Sequence, residues 1–266
     1  MHVDNMTQDT YTHPVVIVGL GQMGRVFAQG FLAAGYPVYP VTSRMAMADA
    51  ARQMPDPGFV LLAVPENVIS RTLGQVPDHW RGKLGLLQNE LLPYVWEAEG
   101  IQTPTTMAVW FEKKKGKTVH VFRPTTVHGP HADLVRVGLD AVGIACDAVA
   151  DVGQMVTELV KKNLYVLTIN IAGLVVGGTT GELWTRHRDL VARVSHDVLD
   201  VMDRLTGRTS DREEMMRFME DILLRVPDHG CRGRVAQDRL ERMVATGRAH
   251  GLTLPALTEI ENRLSG

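Results

Sequence analysis

Val15-Val16-Ile17-Val18-Gly19-Leu20-Gly21-Gln22-Met23-Gly24 joins four β-branched apolar residues to the spacing G-x-G-x-x-G. Four such residues in succession suit a strand buried on both faces of a parallel sheet. Beyond them Met23, Val26, Phe27, Phe31 and Leu32 recur at helical spacing, and Gly35 ends the run. Strand, glycine turn and amphipathic helix in that order predict a phosphate-binding βα unit. Gly19 permits the tight turn, Gly21 lets the backbone approach a pyrophosphate, and Gly24 lets helix and strand pack closely. The helix N-terminus adds free N–H groups and a positive dipole end. Gly19, Leu20, Gly21, Gln22, Met23 and Gly24 are thus read as the seat of a dinucleotide.

The βαβ rhythm continues outward from this unit. Further strands are expected at Tyr36 to Val41, Phe59 to Val64, Leu84 to Leu87, Met107 to Phe111 and Thr118 to Phe122. Near residue 150 the rhythm changes: Asp151 can cap a long apolar helix running toward Val176, and helical patterns follow at about 188–206, 211–225, 233–249 and 255–264. The fold class expected is α/β, a Rossmann-type doubly wound parallel sheet followed by an all-helical domain, with domains at 13–150 and 151–266. No flexible linker separates them, so a cleft between the two is the expected place for a small molecule.

The second strand discriminates between dinucleotides. An NAD site wants an acidic residue at its end to hold the adenine ribose hydroxyls. Here Thr42-Ser43-Arg44 stands in that place and no acid comes before Asp49. A guanidinium with two hydroxyls favours a 2′-phosphate, so NADP is the expected cofactor. Loops at the carboxyl ends of later strands lie beside such a cofactor. They contribute Val64-Pro65 after the third strand and Asn89 after the fourth, the latter able to reach nicotinamide ribose or substrate.

Composition narrows the class further. The 266 residues are 45% hydrophobic and 22% charged with a formal charge of −2, which gives no general pull toward nucleic acid or an anionic membrane. Met1 to His13 is polar and carries no apolar signal segment, and the run Leu164 to Val176 is too short to cross a bilayer. Cys146 and Cys231 lie far apart and read as reduced thiols, so a cytoplasmic protein is expected. His128 and His131 lack a completing ligand, so no metal is expected. Lys113-Lys114-Lys115-Gly116-Lys117 reads as an exposed hairpin tip.

Together the strand–GLGQMG–helix unit, Leu62-Ala63-Val64-Pro65, Gln88-Asn89, and Lys162 followed by Asn170 and Gly181-Glu182-Leu183 resemble ketopantoate reductase and its relatives, within the group having a 6-phosphogluconate-dehydrogenase-type helical domain. The resemblance implies an NADPH-dependent reductase acting on a small anionic substrate. Lys162 would be the acid/base for the ketone oxygen, and Asn89 and Asn170 would orient the substrate. Desolvating a lysine disfavours its charged form and eases release of the proton. The family often dimerises through its helical domain, and Leu164 to Val176 permits a homodimer here.

Two positions depart from that family. Val166 stands where it carries an asparagine, and Val235 where registration on Ala249-His250-Gly251 puts its substrate-binding glutamate. The loop before it reads Pro227-Asp228-His229-Gly230-Cys231-Arg232-Gly233-Arg234, in which Arg232 and Arg234 could grip an anion and His229 could titrate near neutrality. The departures leave two other functions open: a catalytically inactive NADP-binding sensor, and an imine or pyrroline reductase.

Overall fold

The structure, a computed structural model, describes residues 13–265; apart from His13, the polar stretch from Met1 lies outside them. The chain forms two compact units that divide between Leu159 and Val160. In the first, β1 (Val15–Val18), β2 (Val38–Val41), β3 (Phe59–Leu62), β4 (Leu84–Leu86) and β5 (Thr105–Ala108) are followed by β6 (Phe111–Lys113), β7 (Val119–Val121), β8 (Thr125–His128) and β9 (Cys146–Ala148). The main sheet has the order β2-β1-β3-β4-β5-β8-β9. Its strands are parallel from β2 to β5; β8 pairs antiparallel with β5, and β9 runs parallel to β8. The order reverses beside β1, and in sheets of this kind the ligand crevice lies at the carboxyl ends there.

Continuous apolar runs make these strands because both faces are covered. Ile17, Phe59 and Leu61 join one cluster with Phe27 and Phe31 of α1 (Gln22–Ala33) and Val135 and Leu139 of α6 (Ala132–Asp140). Alternation turns Val16, Val60 and Leu62 to the other face, and they are equally buried. Shorter helices α2 (Met47–Gln53), α3 (Ile69–Leu73), α4 (Asp78–Arg81) and α5 (Pro93–Glu97) complete this unit. Helices α1 and α6 meet at glycines: a Cβ on Gly30 would fall 2.1 Å from the Gly138 carbonyl oxygen.

One expected strand needs correction. Met107 to Phe111 is not one strand: it ends at Ala108, and a new one starts at Phe111 in a separate hairpin with β7. The lysine-rich stretch is the tip of that hairpin, as expected, with Lys113 paired opposite Val119. Sequence reading also missed β8 and β9.

Helix α7 (Val152–Val176) begins under the expected cap, with Gln154 N–H donating to Asp151 Oδ1 at 2.8 Å. This helix is long and apolar enough to cross a membrane, with a mean hydropathy of 1.4, although 72% of its most apolar window is buried inside the protein. Burial, rather than the short length expected of the apolar run, is therefore what marks it as a core helix. Tyr165, Leu167 and Ile171 are almost wholly covered, so the stretch that permits a dimer is largely spent on the chain's own core. Helices α8 (Thr180–Arg186), α9 (Arg188–Thr206), α10 (Arg212–Arg225), α11 (Ala236–Ala249) and α12 (Pro255–Ser265) complete the second unit.

Candidate functional site

The glycine turn has the geometry its spacing predicts. Gly19 sits at φ +96°, and a Cβ there would fall 2.6 Å from the Ala63 carbonyl oxygen. On Gly24 a Cβ would lie 2.0 Å from the Gly19 oxygen, so strand and helix approach as closely as two backbones can. Gly21 differs from both: a Cβ on it would meet nothing within 4 Å. Packing therefore does not require a glycine at 21, and the space over its backbone is open. Gly21 is also the N-cap of α1, which has no side-chain cap and no acid in its first turn. A helix start with no side-chain cap and no acid in its first turn suits a pyrophosphate.

The loops beside this turn are tied to it. Gln88, buried after β4, donates through Nε2 to the carbonyl of Leu62 and, at 3.1 Å, to that of Val64, while its Oε1 accepts the Leu87 N–H at 3.1 Å. One buried amide thus locks the carboxyl ends of β3 and β4 together. Val64 Cγ1 lies 3.3 Å from where a Gly19 Cβ would be, so Val64 edges the same turn. Pro65 is exposed and Asn89 half-buried. Glu90, next to Asn89, holds φ +62°, the one non-glycine residue with positive φ among those described. Thr42, Ser43 and Arg44 lie exposed at the carboxyl end of β2, beyond the Gly19 N–H that bonds the Val41 carbonyl at 2.8 Å. Gln88 was legible as a motif residue, but its bracing role was not.

In the second unit, α7 separates its two adjacent lysines. Lys161 is half-buried against α10, with Nζ 3.1 Å from Glu214 Oε1 and 5.8 Å from the Phe218 ring centre. Lys162, about 100° round the helix, is only 9% exposed. Val166, one turn on, is buried too. Tyr165 extends its hydroxyl to His229 Nδ1 at 2.6 Å with the two rings stacked. Asn170 is 5% exposed, and its Oδ1 accepts from Arg239 Nη1 at 3.0 Å.

The loop carrying His229 is fixed by backbone pairing. Thr180 N–H donates to the His229 carbonyl at 2.8 Å, Gly181 N–H to Pro227 at 3.0 Å, and Cys231 N–H to Gly178 at 3.0 Å. Gly181-Glu182-Leu183 acquires a structural meaning here. A Cβ on Gly181 would press to 3.0 Å on Pro227, Glu182 closes a capping box with Thr179, and Leu183 is fully buried. Arg232 and Arg234 lie exposed, as do Val235, Asp238 and Glu241. Arg239, which sequence reading passed over, is buried.

His128 and His131 have local partners. His128 Nδ1 lies 2.9 Å from the Val149 carbonyl, and His131 packs on the Phe59 ring, where burial holds its pKa below the usual histidine value. Among the described residues no three His, Cys, Asp or Glu side chains gather as a metal site. Burial pushes the Cys146 thiol up to about 12 and that of Cys231 to about 11.

No protein-family model matches the chain, and no curated protein sequence matches it. Solved structures do. A PanE/ApbA family ketopantoate reductase from Ralstonia eutropha JMP134 aligns over 95% of this chain and 97% of its own, at TM-score 0.68 and 15% identity. The 2-dehydropantoate 2-reductase of Methylococcus capsulatus aligns over 95% and 96%, at TM-score 0.69 and 12% identity. A D-mandelate dehydrogenase solved with NADH aligns over 94% and 96%, at TM-score 0.66 and 13% identity. Identities this low speak to fold, and they agree with the order of strands and the helical second unit: the chain has the fold of the ketopantoate reductases in a strongly divergent sequence.

Proposed function

We propose that the protein is an NADPH-dependent oxidoreductase that reduces the C=O, or C=N, bond of a small anionic substrate. The observation that carries this reading is Lys162, a lysine only 9% exposed on a core helix of a chain whose glycine turn leaves the backbone open at Gly21. A buried ammonium is costly, and a lysine covered on a core helix is a candidate for proton transfer.

The cofactor, when bound, supplies hydride to the substrate carbon. The chain's residues do the rest. Backbone N–H groups from Gly21 onward hold the pyrophosphate, with Leu20, Gln22 and Met23 shaping the turn. Thr42, Ser43 and Arg44 take the 2′-phosphate through charge-assisted bonds. Val64, Pro65 and Asn89 flank the remainder of the cofactor. Lys162 gives its proton to the carbonyl oxygen as the oxygen gains negative charge, leaving an alcohol and a neutral amine that is reprotonated from solvent. Asn170 orients the substrate from two turns further along α7.

The test is NADPH consumption with a panel of 2-oxo acids and cyclic imines. Wild type should turn over at least one compound. Lys162→Ala should bind NADPH unchanged and lose about 10²–10⁴-fold in kcat, the usual range for a general acid. Turnover retained in Lys162→Ala removes the lysine from the mechanism; turnover of imines alone points to an imine reductase. NADPH binding without turnover of any compound favours the sensor, the reading that the apolar Val166 supports. A homodimer completes the proposal, in keeping with a Staphylococcus aureus ketopantoate reductase described as dimeric, which aligns at 17% identity and TM-score 0.61. Sedimentation of the purified chain measures that directly.

A further inference from the structure

A lysine that gives up its proton must be recharged before the next turnover, and Lys162 is too well covered to meet much bulk water. Its own helix carries a partner three residues on. Tyr165 lies about 4.5 Å further along the axis of α7 and about 60° round it, so the two long side chains leave one face. Tyr165 is 1% exposed, and its hydroxyl meets Nδ1 of His229 at 2.6 Å. His229 is only half-buried. Exposure therefore falls from the histidine to the tyrosine, on the helix face that also carries Lys162.

Holding the loop in place does not call for this contact. Main-chain bonds from Thr180, Gly181 and Cys231 already pin residues 227–231, and Thr179 pairs with Gly230 across an antiparallel bridge. Helix α7 meets the loop backbone directly, since a Cβ on Gly173 would fall 2.8 Å from the Cys231 carbonyl carbon. What the ring pair adds is chemical. A hydroxyl both donates and accepts. Toward a neutral imidazole with its proton on Nε2, Tyr165 donates to Nδ1. Toward an imidazolium, Nδ1–H donates to the Tyr165 oxygen and the hydroxyl proton turns to another acceptor. The rings, stacked within 18° of parallel, keep their place in either state. A carboxylate or a carbonyl in place of the hydroxyl would only accept, and would favour the charged ring alone.

We propose that His229 and Tyr165 form a proton relay that recharges Lys162 from solvent. The relay deepens the reductase reading and rests on Lys162 being its proton donor. The His229 imidazolium passes its Nδ1 proton to the Tyr165 oxygen as the Tyr165 hydroxyl proton passes to the neutral Lys162 amine. The tyrosine ends with one proton, as it began. The lysine is an ammonium again, and the neutral histidine takes its next proton from hydronium or a buffer acid. An ordinary imidazolium is more acidic than an ordinary ammonium by roughly four pKa units, so the transfer runs downhill.

The test is rapid mixing of NADPH-loaded protein with a compound that wild type reduces, followed by NADPH absorbance in weak buffer. His229→Gln keeps a polar side chain that carries no proton, and Tyr165→Phe loses only the hydroxyl. Each should oxidise its first equivalent of NADPH at the wild-type rate, then fall about tenfold or more below wild type in the steady state. Added imidazole should restore the steady state of His229→Gln and leave wild type unchanged. An unaltered melting temperature certifies each variant as folded, and if His229→Gln fails that check, Tyr165→Phe decides. A first turnover slowed as much as later ones would reduce the pair to a structural contact and overturn the relay. So would a wild-type steady state in both folded variants, or a slow phase in His229→Gln that imidazole leaves untouched. Turnover retained in Lys162→Ala, or no turnover of any compound by wild type, would instead overturn the reading on which the relay rests.

Discussion

The three glycines of the turn differ in what a methyl on each would meet. Gly24 is a packing glycine: a methyl 2.0 Å from the Gly19 oxygen forces strand and helix apart. Gly24→Ala should cost about 1–3 kcal/mol, the range for overpacking a tight contact, read as a lower urea midpoint. Glu90 poses the opposite case. Its φ of +62° lies where an L side chain is strained, at a loop beside the proposed cofactor site. Glu90→Gly should relieve about 1 kcal/mol of strain, partly offset by a looser unfolded chain, so its melting temperature should equal or exceed wild type. A clear fall in melting temperature would show that the Glu90 side chain stabilises the fold by more than its backbone costs. Sequence alone marked the three glycines but gave no sign of Glu90, because a positive φ at a non-glycine residue has no signature in one chain.

At the scale of elements, what the sequence shows follows from how local each signal is. β1, α1 and α7 rest on continuous apolar patterns, and all three are found where the pattern places them. β8 was hidden because Thr125 and Thr126 look polar, although both are buried; Thr125 Oγ1 accepts the Trp110 N–H at 3.3 Å. Threonine is β-branched and suits a strand once its hydroxyl is bonded. The break between β5 and β6 was hidden for the converse reason: Val109 and Trp110 are as buried as the strands they separate, so hydrophobicity runs through a change of partner. Arg239 escaped notice because its spacing from Val235 matters only once α11 is placed against Asn170. Thr179→Ala removes a side chain that accepts the Glu182 N–H and should cost about 1 kcal/mol, measured by chemical denaturation. Arg44→Asp should reverse cofactor preference toward NADH, measured by titration with both nucleotides; an unchanged preference removes β2 from cofactor selection.

For the molecule as a whole, pH reports on buried charge. Burial holds the Asp197 carboxyl above its ordinary value of 3.8, against the backbone bonds from Leu257 and Ala256 that favour its ionised form. The folded state thus binds this proton more tightly than the unfolded chain. The stabilisation is fully present below 3.8 and is lost as pH rises through the higher folded value. The stability of Asp197→Asn relative to wild type should therefore improve as pH rises from 3.8, followed by urea denaturation at a series of pH values. A difference that is flat with pH would mean that Asp197 is not held protonated by the fold. The two thiols, pushed up to about 12 and about 11, should resist alkylation at neutral pH until the protein is unfolded.

If the first unit seats a dinucleotide on the turn at Gly19 to Gly24, Gly21 gives that seat a clean test. A methyl at 21 meets nothing within 4 Å, so Gly21→Ala should melt with wild type. The same methyl would stand where the pyrophosphate must approach the backbone. Titration of both proteins with NADPH, followed by fluorescence, should show binding to wild type and a loss of about tenfold or more in Gly21→Ala at unchanged melting temperature. Equal NADPH affinity in the two proteins, or no binding to wild type, would contradict the account.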